Sequence, residues 1–168
     1  VFAVLGIDPG SESGLALLTV EPSPTPVLTR RFHFPKPPLG QLPSPTELVA
    51  CLLVDAERAG VQVAKAVIED QYLDKNPDTL KKLARNAGRW EEACVANGLP
   101  VEYLPAVTWQ AKELGGGRGK GREQIKRLAV AKAKSLGVDG DEHTADATLI
   151  SRCAAIMMYY RSGRRPGR

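Results

Sequence analysis

The first eight residues, Val1-Phe-Ala-Val-Leu-Gly-Ile-Asp8, are apolar on both faces of an extended chain and then stop on an acid. A strand of that kind is buried on both sides, so it belongs at the centre of a sheet with a layer packed against each face. The remainder of the chain supplies those layers. Residues 14–20 read as its neighbour. Residues 27–34 alternate, with Leu28, Phe32 and Phe34 on one face and Thr29, Arg31 and His33 on the other, which predicts a half-exposed edge strand. Ser44-Pro-Thr-Glu47 combines an N-cap, a proline at the first helical position and a capping-box glutamate, so a helix starts there, runs to Arg58 and is stopped by Gly60. Residues 63–69 form a fourth strand. A helix over 77–97 carries Leu80, Leu83, Ala87, Trp90 and Cys94 at helical spacing and ends at Gly98. Residues 101–104 make a short fifth strand, and helices over 121–136 and 142–160 follow a glycine-rich basic loop. The order β-β-β-α-β-α-β-α-α predicts an α/β fold, a five-stranded mixed sheet flanked by helices. A single domain over 1–160 and a basic tail over 161–168 are expected.

At 168 residues the chain is large enough to bury a core of its own. Its net charge is +4, and the basic residues gather at 81–89, 112–127 and 161–168, which favours a polyanionic partner. Cys51, Cys94 and Cys153 are odd in number and lack CxxC spacing, so they are expected to be buried, reduced thiols of a cytoplasmic protein rather than disulfides or zinc ligands. No apolar run reaches membrane-spanning length.

Asp8 and Glu69 each close an apolar strand, and Asp146 lies one turn into the last helix. A carboxylate at the tip of a buried strand is costly unless its charge is compensated, and hard divalent cations take oxygen ligands converging from separate elements. If the two strands are central and parallel, their C-terminal ends meet at one edge of the sheet, where open α/β sheets hold ligands. Asp8 opens Asp8-Pro-Gly-Ser-Glu-Ser-Gly14, in which Gly10 and Gly14 permit close backbone approach, by a metal-bound phosphate for instance; the alternative is a hairpin whose aspartate caps the turn. Asp70 points to the opposite face from Glu69 and reads as a solvated acid. His143 and Asp146 are three residues apart and share a helix face, where they could ligate one ion, or the imidazole could orient or deprotonate a water. The alternative is that Asp141 or Glu142 caps the helix and His143 is a surface residue of its first turn. Small residues at Ala145 and Ala147 would let this helix pack closely on the sheet.

Residues 112–127 interleave glycines with Lys112, Arg118, Lys120, Arg122, Lys126 and Arg127. Flexible backbone with cations can follow phosphates, whereas a solvated loop is the ordinary fate of a charge run. The stripe Lys81, Lys82, Arg85, Arg89 is ambiguous in the same way. Tyr72, just past Glu69, could stack on an unpaired base or pack in the core.

Taken together these pieces resemble the RuvC family of Holliday-junction resolvases, which has the RNase H-like fold. The resemblance is carried by Leu5-Gly-Ile-Asp-Pro-Gly10, by Ile68-Glu69 with Tyr72 and Lys75-Asn76, and by His143-Thr-Ala-Asp-Ala147, in the family's order along nearly the whole chain. It implies that Asp8, Glu69 and Asp146 are metal-binding catalytic acids, with His143 where family members carry a histidine or a fourth acid. It implies two Mg2+ ions per active site, with Mn2+ as the alternative, and phosphodiester hydrolysis that leaves 5′-phosphates. Tyr72 falls where the family inserts an aromatic at the junction centre, and Lys112 and Arg122 fall near its basic DNA-contacting positions; Lys75, Arg118 and Lys120 are expected to bind DNA with them. A homodimer acting on four-way junction DNA by paired symmetric nicks is implied, away from any membrane. The proline-rich 35–45 segment and the arginine-rich tail depart from the family pattern and bear on substrate preference.

Other classes account for fewer of these residues. A sugar-kinase-like or acetate-kinase-like ATPase also opens with Asp-x-Gly and a hairpin, but needs a second phosphate loop that is missing here. A junction-binding protein without nuclease activity would not need three acids. A nuclease of the same fold acting on other branched DNA or on RNA needs all of them, and differs from a resolvase only in the substrate shape its dimer admits.

Overall fold

A computed structural model describes residues 1–34, 43–70, 77–116 and 119–163. Five strands form one sheet in the order β3-β2-β1-β4-β5: β1 (Phe2–Asp8), β2 (Glu12–Thr19), β3 (Pro26–His33), β4 (Gln62–Asp70) and β5 (Val101–Pro105). β1 is central, antiparallel to β2 and parallel to β4, and β4 is parallel to β5. The mixed sheet, the central first strand and the third strand at an edge are as the hydrophobic pattern predicts.

Two layers cover the sheet because alternate residues of the inner strands feed two separate cores. Leu5, Ile7, Ala66 and Ile68 point into a core closed by α1 (Pro45–Arg58) and α2 (Pro77–Ala96), where Trp90 is fully buried. Phe32, Phe34 and Trp90 meet edge to face there, at ring separations of 5.1–5.9 Å. Val4 and Val67 point the other way, into a core closed by α3 (Ala106–Leu114), α4 (Arg122–Ser135) and α5 (Glu142–Arg161). The capping box forms as the sequence predicts: Ser44 Oγ accepts from the Glu47 amide, and the Glu47 carboxylate accepts from the Ser44 amide.

Two expectations need correction. The segment ahead of the glycine-rich loop is not irregular: residues 106–114 form α3, which ends on Gly115 in a left-handed conformation. Cys51 is exposed, unlike Cys94 and Cys153, because it lies on the outer side of α1; all three thiols are free. Among the described residues no helix is long and apolar enough to cross a membrane.

Candidate active site

The parallel register of β1 and β4 runs through Gly6 opposite Val67 and Ile7 opposite Ile68. Asp8 and Glu69 therefore come next, side by side, at the C-terminal ends of two adjacent strands. Strand alternation sends both side chains to the face of Val4 and Val67, the face that α5 covers. Asp70 points the other way and is exposed, as its position predicts.

What brings α5 to this edge is the absence of two side chains from the sheet. A Cβ on Gly14 would fall inside the carbonyl group of His143, and a Cβ on Gly6 would collide with the carbonyl oxygen of Ala147 and the amide of Ser151. The helix backbone thus rests on bare strand. The close approach permitted at Gly14 is taken up by α5, where the sequence suggested a phosphate. Ser151 Oγ donates to the Val4 carbonyl at 2.8 Å and fixes the height of the helix. Asp141 is the N-cap, accepting from the amide and the hydroxyl of Thr144, and it pairs with Arg31 of β3 at 2.9 Å. Burial would push the Asp141 carboxyl up, but the Thr144 hydrogen bonds and Arg31 outweigh it and hold the group below the usual range.

With the helix so placed, His143 Nδ1 stands 2.8 Å from Asp8 Oδ2. Asp141 caps the helix, and His143, rather than lying on the surface of the first turn, faces Asp8. The hydrogen bond to Asp8 raises the basicity of the imidazole above its ordinary value, against the opposing effect of burial. Asp146 is pushed up to about 8, first by burial and then by the negative charges of Asp8 and Glu69. Glu69 Oε1 accepts a hydrogen bond from Trp109 Nε1 at 2.9 Å. The turn after Asp8 is tied down from the opposite layer: Asn86 Nδ2 donates to the Gly10 carbonyl at 3.2 Å, Ser13 Oγ donates to the same carbonyl, and Trp90 Nε1 donates to Ser13 Oγ.

A divalent cation suits this donor set. Three carboxylates and an imidazole share a partly buried edge, where burial first and the charges of Asp8 and Glu69 second keep Asp146 protonated; a hard cation would offset those charges. As the side chains stand, no three His, Cys, Asp or Glu among the described residues converge on a point that would hold an ion.

Of the basic positions, Lys112 is exposed on α3 and Arg122 is exposed at the start of α4. Lys120 is engaged, its ammonium donating to the carbonyls of Leu114 and Gly116 at the end of α3. Tyr72, Lys75 and Arg118 lie outside the described residues. Trp109 and Asn86 are functional candidates that sequence reasoning missed. Asn86 left a signal, a polar residue beside Ala87 on the apolar side of α2. For Trp109 the signal was the run Trp109-Gln-Ala-Lys-Glu-Leu114, good helix formers closed by Gly115, which the neighbouring glycines obscured.

No family model matches the chain. It is 27% identical over 175 residues to the crossover junction endodeoxyribonuclease RuvC of Chlamydia trachomatis serovar A, covering 94% of this chain and 93% of that protein. The RuvC of serovar L2 matches to the same extent. Among solved structures, T. thermophilus RuvC in complex with a Holliday junction substrate superposes with a TM-score of 0.66 at 20% identity, over 97% of both chains. A second Thermus thermophilus RuvC structure gives 0.65 at 22% identity over 96% of both. The similarity to RuvC proteins, first carried by three short motifs, thus extends along nearly the whole chain, and the fold is theirs.

Proposed function

We infer that this chain is a RuvC-type crossover junction endodeoxyribonuclease, a metal-dependent hydrolase that resolves four-way DNA junctions by paired nicks. The observation that carries the inference is the seating of α5 on Gly6 and Gly14, which sets His143 against Asp8 and holds Asp146 in the field of Asp8 and Glu69. Full-length similarity to RuvC enzymes supports the same reading.

Asp8, Glu69 and Asp146 would hold the cation, with His143 as a further ligand or as the partner of the attacking water. Divalent ions, Mg2+ or alternatively Mn2+ and two per site, would when bound polarise the scissile phosphate and make a water nucleophilic at neutral pH. With Nδ1 of His143 donating to the Asp8 carboxylate, Nε2, which lies 3.6 Å from Glu142 Oε1, would be the nitrogen that takes a proton from water, and the Asp8 contact keeps the ring from turning away. Asp146, protonated through burial and the charges of Asp8 and Glu69, would release that proton to become a ligand of the cation. Cleavage leaves the phosphate on the 5′ end. The working form is a homodimer in the cytoplasm, one active site for each of two strands, with Tyr72, Lys75 and Arg118 joining Lys112 and Arg122 along the DNA, while Lys120 is held by the carbonyls of Leu114 and Gly116.

The test compares a labelled four-way junction, a splayed arm and a linear duplex, with Mg2+ or Mn2+, for the wild-type protein and Asp146→Asn. Symmetric nicks in the junction, lost in the variant while junction binding persists, are expected. Equal cutting of every branched substrate would make the enzyme a general branched-DNA nuclease of this fold. Near wild-type cleavage by Asp146→Asn would overturn the site.

A further inference from the structure

Trp109 is 1% exposed, and its ring fills the core between the sheet and α5. Its N–H does not simply find a convenient backbone acceptor there. It donates at 2.9 Å to Oε1 of Glu69, one of the three acids of the site. An indole N–H is a donor only and carries no charge. It can therefore fix a carboxylate oxygen without neutralising the carboxylate, whereas a lysine or arginine at that place would compete with a cation for Glu69.

The helix that presents Trp109 is held at both ends. It leaves the sheet directly after Pro105, which pairs with Asp70, the neighbour of Glu69 on β4. One turn beyond Trp109, the buried Glu113 carboxylate forms an ion pair with Arg152 of α5, the helix that carries His143 and Asp146. The short helix α3 thus spans from the strand of one acid to the helix of another, and the indole is anchored from both.

We propose that Trp109 is a positioning residue for metal binding: its N–H holds Oε1 of Glu69 and so fixes the orientation in which that carboxylate would meet the divalent ion. The proposal rests on the nuclease reading above and adds to it a determinant of metal affinity. Hydrogen bonds to a ligating carboxylate commonly govern affinity about 10- to 100-fold. Loss of this one removes a restraint on the Glu69 carboxylate, and the ion then has to supply that ordering itself.

The experiment places benzothienylalanine at position 109, which keeps the shape of the bicyclic ring and replaces the N–H by sulfur, alongside Trp109→Phe. Mn2+ binding to the DNA-free protein is followed by the electron paramagnetic resonance signal of the free ion, melting temperature is recorded, and junction cleavage is measured across Mg2+ concentrations. The expected result for the isostere is an unchanged melting temperature, Mn2+ binding weakened about tenfold or more, and cleavage that recovers toward wild type at high Mg2+. A residue that only fills the core would change melting and leave the metal titration alone, so an isostere titrating like wild type overturns the proposal. Two controls separate its failure from that of the nuclease reading. If wild type binds no Mn2+ that Asp146→Asn removes, the metal site itself is wrong and the proposal falls with it. If wild type binds and the isostere binds equally, the site stands and Trp109 has no part in it.

Discussion

Between the ordinary aspartate value of 3.8 and its folded value of about 8, Asp146 keeps a proton that the unfolded chain gives up. The folded state then binds more protons than the unfolded one, so stability falls as pH rises through that window. His143 acts with the same sign, since its raised basicity contributes stability that is lost as pH climbs through its folded value. The metal-free protein should therefore melt at progressively lower temperature from about pH 5 to pH 8. Asp146→Asn should remove most of that slope, because an amide cannot ionise. Mg2+ should raise the melting temperature of wild type more at pH 8 than at pH 5.5, and should barely affect the variant, since ion and proton compete for one carboxylate. Calorimetry at several pH values, with and without Mg2+, measures all of this, and a flat wild-type profile would mean that neither burial nor the neighbouring acids raise Asp146.

At the scale of elements, the site depends on how closely α5 lies on the sheet. Gly14→Ala should be severe, since the new Cβ meets the His143 carbonyl rather than a side chain that could swing aside. Overpacking against backbone costs on the order of 3 kcal/mol, roughly a 10 °C drop in melting temperature for a chain of this size. Cleavage should fall further than stability does, because the helix moves away from Asp8. Gly88→Ala is the control: this helical glycine has open space around it, and alanine there should stabilise by about 0.5–1 kcal/mol. Equal melting temperatures for the two variants would contradict the packing described. Much of this was legible in the chain. Strands and long helices followed from alternation, caps and stops, and the small residues Ala145 and Ala147 announced close packing of α5. That they met the sheet was legible, but where on it was not: Gly6 inside an apolar strand looks like any other small residue until a helix backbone is found on it. α3 was hidden because its nine residues are too few for periodicity to outweigh the glycines that follow. Trp109 and its bond to Glu69 were lost with it.

For the whole molecule, the question is how DNA reaches an acidic edge on a protein of net charge +4. The topology answers by placing cations in both layers around that edge. α2 begins beyond the end of β4, and its Asn86 touches the turn after Asp8, so the helix that meets the site on this face is the one carrying the exposed Lys81, Lys82 and Arg85, and Arg89, whose guanidinium lies over the Phe34 ring. On the other face α4 is tied to the start of α5 by Lys126 and Glu142 at 2.7 Å, which brings the exposed Arg122 near the same edge. A strand crossing the edge would meet phosphate contacts from both layers, with the acids between them. Each contact removed should lower the salt slope of junction binding by about one. Lys112→Ala and Arg122→Ala together, and Lys81→Ala with Lys82→Ala, should each flatten the slope while leaving melting temperature alone. Lys120→Ala should do the opposite, because its ammonium caps the last carbonyls of α3 and must leave them to reach a phosphate. Its removal should loosen α3 and change the slope little. Binding titrations at four or more salt concentrations distinguish these cases. A slope that depends on the 112–122 side alone would confine the DNA path to the α4 layer, and a slope that depends on neither would return both clusters to solvent.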